Sequence, residues 1–141
     1  MSVRLYLDTS AYLCIVLGDA GATQLSKETR GATLCTSVLL VLEARRTLVR
    51  LARESVLSPD QFEKCLSRLT NDIELLELRD LSLELCEALP MPAVVTPRSL
   101  DLVHLRTALW FHAQSPLTRF VTLDAAQAQA ARELGLPTGA V

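Results

Sequence analysis

The chain has 141 residues, of which 50% are hydrophobic, 21% charged and only 4% aromatic. This length is typical of one globular domain, and the high apolar content excludes intrinsic disorder. A formal net charge of −2 excludes a global positive field that would steer the protein to nucleic acid. The few aromatic side chains also argue against RNA recognition by base stacking.

Alternating and helical patterns of apolar residues predict strands that are separated by helices. We predict strands at about 3–7, 32–36, 73–78 and 120–123, and helices at about 11–17, 20–29, 37–54, 58–69, 81–89, 99–112 and 125–134. The proline-rich stretch 90–97 is predicted as a loop. The predicted N-caps are Thr9 or Ser10, Ser37, Ser58 and Ser99. Strands that alternate with helices indicate a parallel sheet covered on both faces, which is the α/β class.

The apolar runs and the cysteines bear on cellular location. The runs 11–17 and 38–42 are much shorter than the roughly 20 residues of a membrane span, and Asp8 interrupts a stretch that otherwise suggests a signal peptide. The cysteines form no CxxC pair and lie in apolar surroundings, which predicts reduced core thiols at Cys14, Cys35, Cys65 and Cys86. We therefore expect a cytoplasmic protein without a membrane segment.

Four carboxylates occupy informative positions. Asp8 directly follows the first predicted strand and Asp124 follows the last, although either could simply cap the next helix. Glu43 follows five apolar residues in a helix that we expect to be buried on most sides, where an ionised carboxylate needs a partner, a proton or a metal ion. Asp101 lies in the first turn of its helix, where an acid also interacts favourably with the helix dipole.

The same four acids are expected to meet at one edge of the sheet, because the strands end there and the following helices begin there. Clustered carboxylates repel one another unless cations neutralise them, and oxygen ligands suit Mg²⁺ or Mn²⁺. Two such ions about 4 Å apart can support hydrolysis of a phosphodiester bond. The pattern therefore predicts metal-dependent chemistry on a phosphodiester.

Other catalytic signatures are absent from the sequence. It contains no GxSxG, HExxH, GxGxxG or P-loop motif. His104 and His112 share one predicted helix, but no cysteine or acid stands at zinc-ligand spacing from them. We interpret both histidines as packing or surface residues.

At these acids the sequence resembles the PIN-domain family, specifically the VapC-type toxins of bacterial and archaeal toxin–antitoxin systems. Four segments carry the resemblance: LDTSAYL at 7–13, the stretch from Thr36 to Arg46, RSLDLVHL at 98–105, and VTLD at 121–124 with ARELGL at 131–136. The resemblance spans nearly the whole chain. It implies that residues 1–141 form a single PIN domain, a three-layer α/β/α sandwich around a central parallel sheet of four to five strands.

The resemblance also implies roles for the four acids. Asp8 and Asp101 match the principal Mg²⁺ (or Mn²⁺) ligands of the family. Glu43 and Asp124 complete the acidic quartet and would hold a second ion or position the attacking water. The activity implied is metal-dependent endonucleolytic cleavage of RNA.

Supporting residues and partners follow from the same resemblance. Thr122 matches a position in the cleft, and Thr9 or Ser10 is expected to orient Asp8. Independently of the resemblance, the position of Arg45 and Arg46 on the Glu43 helix makes them candidates for contact with RNA phosphates or an antitoxin, although some arginines of this helix must face solvent or acids. The implied partners are an RNA substrate, a small cognate antitoxin protein and a second copy of the chain in a homodimer.

Two alternatives remain open from sequence. A PIN-like domain could bind RNA or protein without cutting, because sequence does not show metal occupancy. A phosphotransfer domain that uses Asp8 is disfavoured, because the second acid of a DxD motif is missing and no lysine follows a late strand.

Overall fold

The computed structural model describes residues 2–87, 94 and 98–139, which form four strands and seven helices. In chain order these are β1 (Arg4–Leu7), α1 (Thr9–Leu17), α2 (Ala22–Thr29), β2 (Thr33–Ser37), α3 (Leu39–Arg53), α4 (Pro59–Leu75), β3 (Glu77–Arg79), α5 (Leu83–Glu87), α6 (Ser99–Gln114), β4 (Arg119–Val121) and α7 (Ala125–Glu133). The predicted loop at 90–97 lies outside the described residues except for Val94.

The four strands form one parallel sheet in the order β3-β2-β1-β4. The chain moves outward from β1 to β2 and β3, and then returns to the other side of β1 to form β4. Such a reversal opens a crevice outside the carboxyl ends of the two strands between which it occurs. The prediction of an α/β protein with a parallel sheet is confirmed, and its topology directs attention to the ends of β1 and β4.

Alternate residues of β1 belong to two different hydrophobic clusters. Leu5 and Leu7 pack in one cluster with side chains of α1, α2, α3 and α4. Tyr6 packs in the other cluster with side chains of α6 and α7. Because successive side chains of a strand point to opposite faces, helices cover the central strand from both sides.

The largest error in the predicted elements concerns the end of α4. Ser58 caps this helix through a capping box with Gln61, as the sequence predicts at its start. The helix does not end near Leu69 but continues to Leu75, so the first half of the predicted strand 73–78 is helical. Only Glu77–Arg79 forms the strand.

The N-caps also differ from the predictions at three helices. Asp8 is the N-cap of α1, and its side chain accepts a hydrogen bond from the Ala11 amide; Thr9 and Ser10 are the first helical residues. Ser99 begins α6 without capping it. Ser37 is the last residue of β2 and not the N-cap of α3, which is Val38, although the Ser37 hydroxyl accepts a hydrogen bond from the Leu39 amide at 3.0 Å.

Several burial predictions are wrong in part. Helix α3 is not buried on most sides, since Leu42 is 67% exposed. All four cysteines are free, but Cys86 is exposed and Cys65 only half-buried, so only Cys14 and Cys35 are core thiols. Within the described ranges, no helix is long and apolar enough to cross a membrane.

Candidate functional site

The candidate site lies outside the carboxyl ends of β1 and β4. The Asp8 amide donates a hydrogen bond to the Val121 carbonyl at 3.1 Å, which extends the pairing of the two strands by one step. Asp8 and Thr122, the residues that follow the two strands, therefore leave the sheet side by side. This is the crevice that the strand order defines.

Asp8 is 6% exposed, and both of its carboxylate oxygens accept hydrogen bonds. Oδ1 accepts from the Ser10 hydroxyl at 2.6 Å and from the Ala11 amide at 3.1 Å. Oδ2 accepts from the Thr122 hydroxyl. Because these donors come from α1 and from the end of β4, they hold the carboxylate in one orientation at the crevice.

Asp124 joins the same crevice through Thr122. Its amide donates to the Thr122 hydroxyl at 3.1 Å, and its own Oδ1 caps α7 by accepting from the amides of Ala126 and Gln127 at 2.9 and 3.2 Å. The residue is exposed. One carboxylate oxygen thus stabilises a helix, while Oδ2 accepts no hydrogen bond from the described residues.

Asp101 stands in the first turn of α6, next to the start of α7. The Gln127 amide group donates to the Asp101 carbonyl at 3.0 Å and so joins the two helices. Burial raises the pKa of the Asp101 carboxyl above its ordinary value, and the negative charges of Asp124 and Asp8 raise it further; Arg98 and His104 act in the opposite direction. Gln127 also connects Asp101 to Asp124, because the backbone amide of Gln127 donates to Asp124 Oδ1.

Glu43 belongs to α3 and is held by two neighbours at a single oxygen. Its Oε1 accepts a hydrogen bond from the Thr9 hydroxyl at 2.6 Å and lies 2.8 Å from His104 Nε2. Burial favours a higher pKa for Glu43, but the hydrogen bonds from His104 and Thr9 outweigh it, so the pKa lies below its ordinary value. The carboxylate is therefore stabilised in its ionised form.

His104 connects Glu43 to the central strand. Its Nδ1 lies 2.8 Å from the Tyr6 hydroxyl, and its Nε2 is also 3.2 Å from the Thr9 hydroxyl. His104 is 3% exposed and Tyr6 is fully buried, and burial raises the pKa of Tyr6 well above its ordinary value. The imidazole is thus in polar contact through both nitrogens.

The structure brings most of the residues singled out in the sequence to this crevice. Asp8, Asp101 and Asp124 lie there with Ser10 and Thr122. Ser10 contacts Asp8 as expected. Thr9, which was the other candidate for that role, donates instead to Glu43.

Arg45 and Arg46 lie apart from this network of hydrogen bonds. Both side chains are exposed on α3. They follow Glu43 on the same helix, so they remain available to a partner that approaches from that direction.

The sequence interpretation missed His104 and Tyr6. His104 is a buried part of the site rather than a simple packing or surface residue. One signal was available: Asp101 and His104 are three positions apart and therefore lie on the same helix face. A second was Tyr6, because a tyrosine in the middle of a buried strand needs a partner for its hydroxyl.

The donor set has the chemistry that a hard divalent cation requires. Among the described residues, none donates a hydrogen bond to the Asp101 carboxylate, to Glu43 Oε2 or to Asp124 Oδ2, so unpaired carboxylate oxygens remain. In the part of the chain that the structure describes, no three acidic, histidine or cysteine side chains lie close enough together to hold a metal ion. The residue types and their unpaired oxygens thus suit Mg²⁺ or Mn²⁺, but the described side chains do not form a three-ligand site.

Comparison with known proteins adds no family assignment, because neither a protein-family model nor a curated protein matches the chain.

Proposed function

We propose that the chain is a Mg²⁺- or Mn²⁺-dependent endoribonuclease of the PIN-domain type and acts as the toxin of a toxin–antitoxin pair. The observation that supports this proposal is a network of hydrogen bonds among acids at the reversal of strand order. Thr122 links Asp8 to Asp124, and Gln127 links Asp124 to Asp101. Glu43 is held by His104 and by Thr9, the residue after Asp8. Clustered acids at this place in a parallel sheet favour cation-assisted chemistry over a purely structural role.

The four acids have two different roles in this proposal. Asp8 and Asp101 would hold the principal cation, and Glu43 and Asp124 would hold a second ion or orient the attacking water. When bound, the cation supplies charge that activates water and stabilises the leaving oxygen of the phosphodiester. Ser10 and Thr122 keep the Asp8 carboxylate turned toward the crevice by donating to both of its oxygens.

The proposal includes the finer architecture. Helices on both sides of β1 and an all-parallel sheet are compatible with the three-layer α/β/α sandwich of a single PIN domain over residues 1–141. The observed sheet has four strands among the described residues, at the lower end of the expected four to five.

The partners proposed are an RNA substrate, a small antitoxin and a second copy of the chain, all in the cytoplasm. The exposed positions of Arg45 and Arg46 on α3 favour contact with phosphates or with an acidic segment of the antitoxin. Their guanidinium groups offer the local positive charge that the whole molecule lacks.

A second candidate is a catalytically silent PIN-like module that binds RNA or protein. The observation that favours it is the lack, among the described residues, of three metal-ligating side chains within reach of one ion. Calorimetry with Mn²⁺ separates the two functions, because the silent module requires no cation.

RNA cleavage by the purified protein tests the proposed activity. We expect cleavage with Mg²⁺ or Mn²⁺, loss of cleavage with a chelator, and a loss of at least about 100-fold in Asp8→Asn and Asp101→Asn, because each removes a carboxylate that binds the cation. Asp60→Asn is the matched control, since Asp60 is exposed in the first turn of α4 and belongs to no part of the site. Full activity of both site variants, or cleavage that survives the chelator, would overturn the mechanism.

A further inference from the structure

We propose that His104 and Tyr6 are positioning residues, which clamp the Glu43 carboxylate so that one oxygen is committed to the protein and the other is left for the cation or water. The inference rests on the proposed function only in taking Glu43 to face a cation. Its first step, the orientation of the imidazole, concerns the protein without metal or RNA.

The direction of the hydrogen bond from His104 follows from the chemistry of its partner. An ionised carboxylate can only accept hydrogen bonds, so the 2.8 Å contact with Glu43 Oε1 requires a proton on His104 Nε2. The Thr9 hydroxyl donates to the same oxygen at 2.6 Å. Two donors from two different helices therefore meet at Oε1.

Tyr6 fixes the other side of the imidazole. Its hydroxyl lies 2.8 Å from His104 Nδ1, and the phenol ring stacks on Phe120 with centroids 5.3 Å apart and an angle of 4° between the planes. The ring also contacts Phe111 and meets the edge of the His104 ring. Because Tyr6 is part of the central strand and fully buried, its hydroxyl is a fixed reference point for the histidine.

The line of hydrogen bonds from Tyr6 through His104 to Glu43, which we call the clamp, joins the two sides of the sheet. Tyr6 and the neighbours of His104 on α6 belong to the hydrophobic cluster on one face, whereas Leu40 and Ala44, which flank Glu43 on α3, belong to the cluster on the other face. A hydrogen-bonded line from Tyr6 through His104 to Glu43 thus fixes a residue of one layer relative to the other. A glutamate side chain has three rotatable bonds, so this restraint removes rotamers that point the carboxylate away from the crevice.

This arrangement leaves Oε2 of Glu43 for a cation or for water. No described residue donates a hydrogen bond to it, and the Glu43 side chain is only 24% exposed. Support of one ligand oxygen by a hydrogen-bonded neighbour is a general way to orient metal ligands, and loss of such a neighbour typically weakens metal affinity or activity by 10- to 100-fold. His104 is therefore suited to act through Glu43 without touching the substrate.

Long-range ¹⁵N spectra of the histidines test the first step in protein that contains no metal. We expect a protonated Nε2 at His104 in the wild type, and a changed Nδ1 shift in Tyr6→Phe, which keeps the ring and removes only the hydroxyl. Tyr12→Phe is the matched control, because the Tyr12 hydroxyl donates to Asp72 at 2.8 Å and not to the site. An unprotonated Nε2 in the wild type, or an Nδ1 shift that is the same in Tyr6→Phe, would overturn the proposal.

Metal binding and kinetics test the second step. We expect Tyr6→Phe and His104→Leu to weaken Mn²⁺ binding, measured by calorimetry, by about 10-fold, and to lower kcat for RNA cleavage by about 10- to 100-fold at an unchanged KM. His104→Gln should recover part of both losses, because its amide nitrogen can donate to Glu43. Wild-type affinity and kcat in Tyr6→Phe and His104→Leu would overturn the positioning role.

These outcomes separate the inference from the function on which it rests. If the wild type binds Mn²⁺ and the variants bind it more weakly while no RNA is cleaved, the proposed nuclease function fails and the clamp stands. If the wild type cleaves RNA and both variants cleave it equally well, the clamp fails and the nuclease function stands.

Discussion

Asp124 shows how one side chain can have a structural and a functional role at once. Its Oδ1 caps α7 through the amides of Ala126 and Gln127, whereas Oδ2 is free of hydrogen bonds from the described residues. The sequence suggested capping and metal chemistry as competing explanations for this acid. The geometry allows both, because the two oxygens have separate environments.

Two substitutions separate these roles. Asp124→Asn keeps a side-chain oxygen that can cap α7, so we expect its free energy of unfolding to stay within about 0.5 kcal/mol of wild type. Asp124→Ala removes the cap and should cost about 1 kcal/mol. RNA cleavage should fall in both variants, because both lack the charge. Urea unfolding and cleavage assays measure the two effects, and an Asp124→Asn variant with full activity would reduce Asp124 to a helix cap.

The acids of the site were predictable from the sequence, but the histidine was not. Asp8 and Asp124 stand directly before helices and close to strand ends, and this local pattern already suggests the edge of a parallel sheet. The role of His104 depends on contacts with Glu43, 61 positions away, and with Tyr6, 98 positions away. Such contacts are set by the packing of three elements, so the spacing of Asp101 and His104 indicates a shared helix face but not these partners.

Among the secondary-structure elements, α4 was the hardest to predict. The short apolar segment 73–78 is compatible with a strand, yet Leu69, Ile73 and Leu76 are spaced as on one helix face and all pack in the same cluster. Short apolar segments are often ambiguous between the two periods. Packing against α1 resolves the ambiguity, because a helix through Asp72 places that carboxylate beside Tyr12.

The contact between α1 and α4 predicts a pH dependence of stability. Tyr12 is 4% exposed, and burial raises its pKa above the ordinary value, to which the hydrogen bond and charge of Asp72 add. A raised pKa in the folded state means that the protonated phenol stabilises the fold fully below about pH 10, and that this contribution is lost as the pH rises further. Tyr12→Phe lacks the group and should not show this loss.

Urea unfolding of the wild type and Tyr12→Phe measures this effect. At pH 8 we expect the wild type to be more stable by about 1.5 kcal/mol, because its hydroxyl bonds to a charged acceptor. Between pH 9 and pH 11 this difference should shrink by about 1.4 kcal/mol, since the tyrosine ionises first in the unfolded chain. A difference that is equal at pH 8 and pH 11 would show that Asp72 and burial do not hold the phenol protonated.

The molecule as a whole combines a near-neutral charge with a local concentration of acids. The net charge is only −2, yet burial and the negative charges of Asp124 and Asp8 raise the pKa of Asp101. The same topology that creates the crevice also creates this repulsion, because the helices that carry the acids begin where the strands end. The negative charges therefore destabilise the fold at this site, and in the proposed function they attract a cation.

The proposed cation site predicts that the stability of the whole fold depends on divalent cations. The raised pKa of Asp101 means that its ionised form destabilises the metal-free fold at neutral pH, so Asp101→Asn should unfold at a higher temperature than the wild type without metal. Free Mg²⁺ or Mn²⁺ at 100 times its dissociation constant should stabilise the wild type by about 2.7 kcal/mol, and Asp101→Asn by much less. Thermal unfolding with and without the cation measures both effects, and Asp60→Asn should behave as the wild type does. A wild type whose unfolding temperature is the same at every Mn²⁺ concentration would favour the silent binding module over the nuclease.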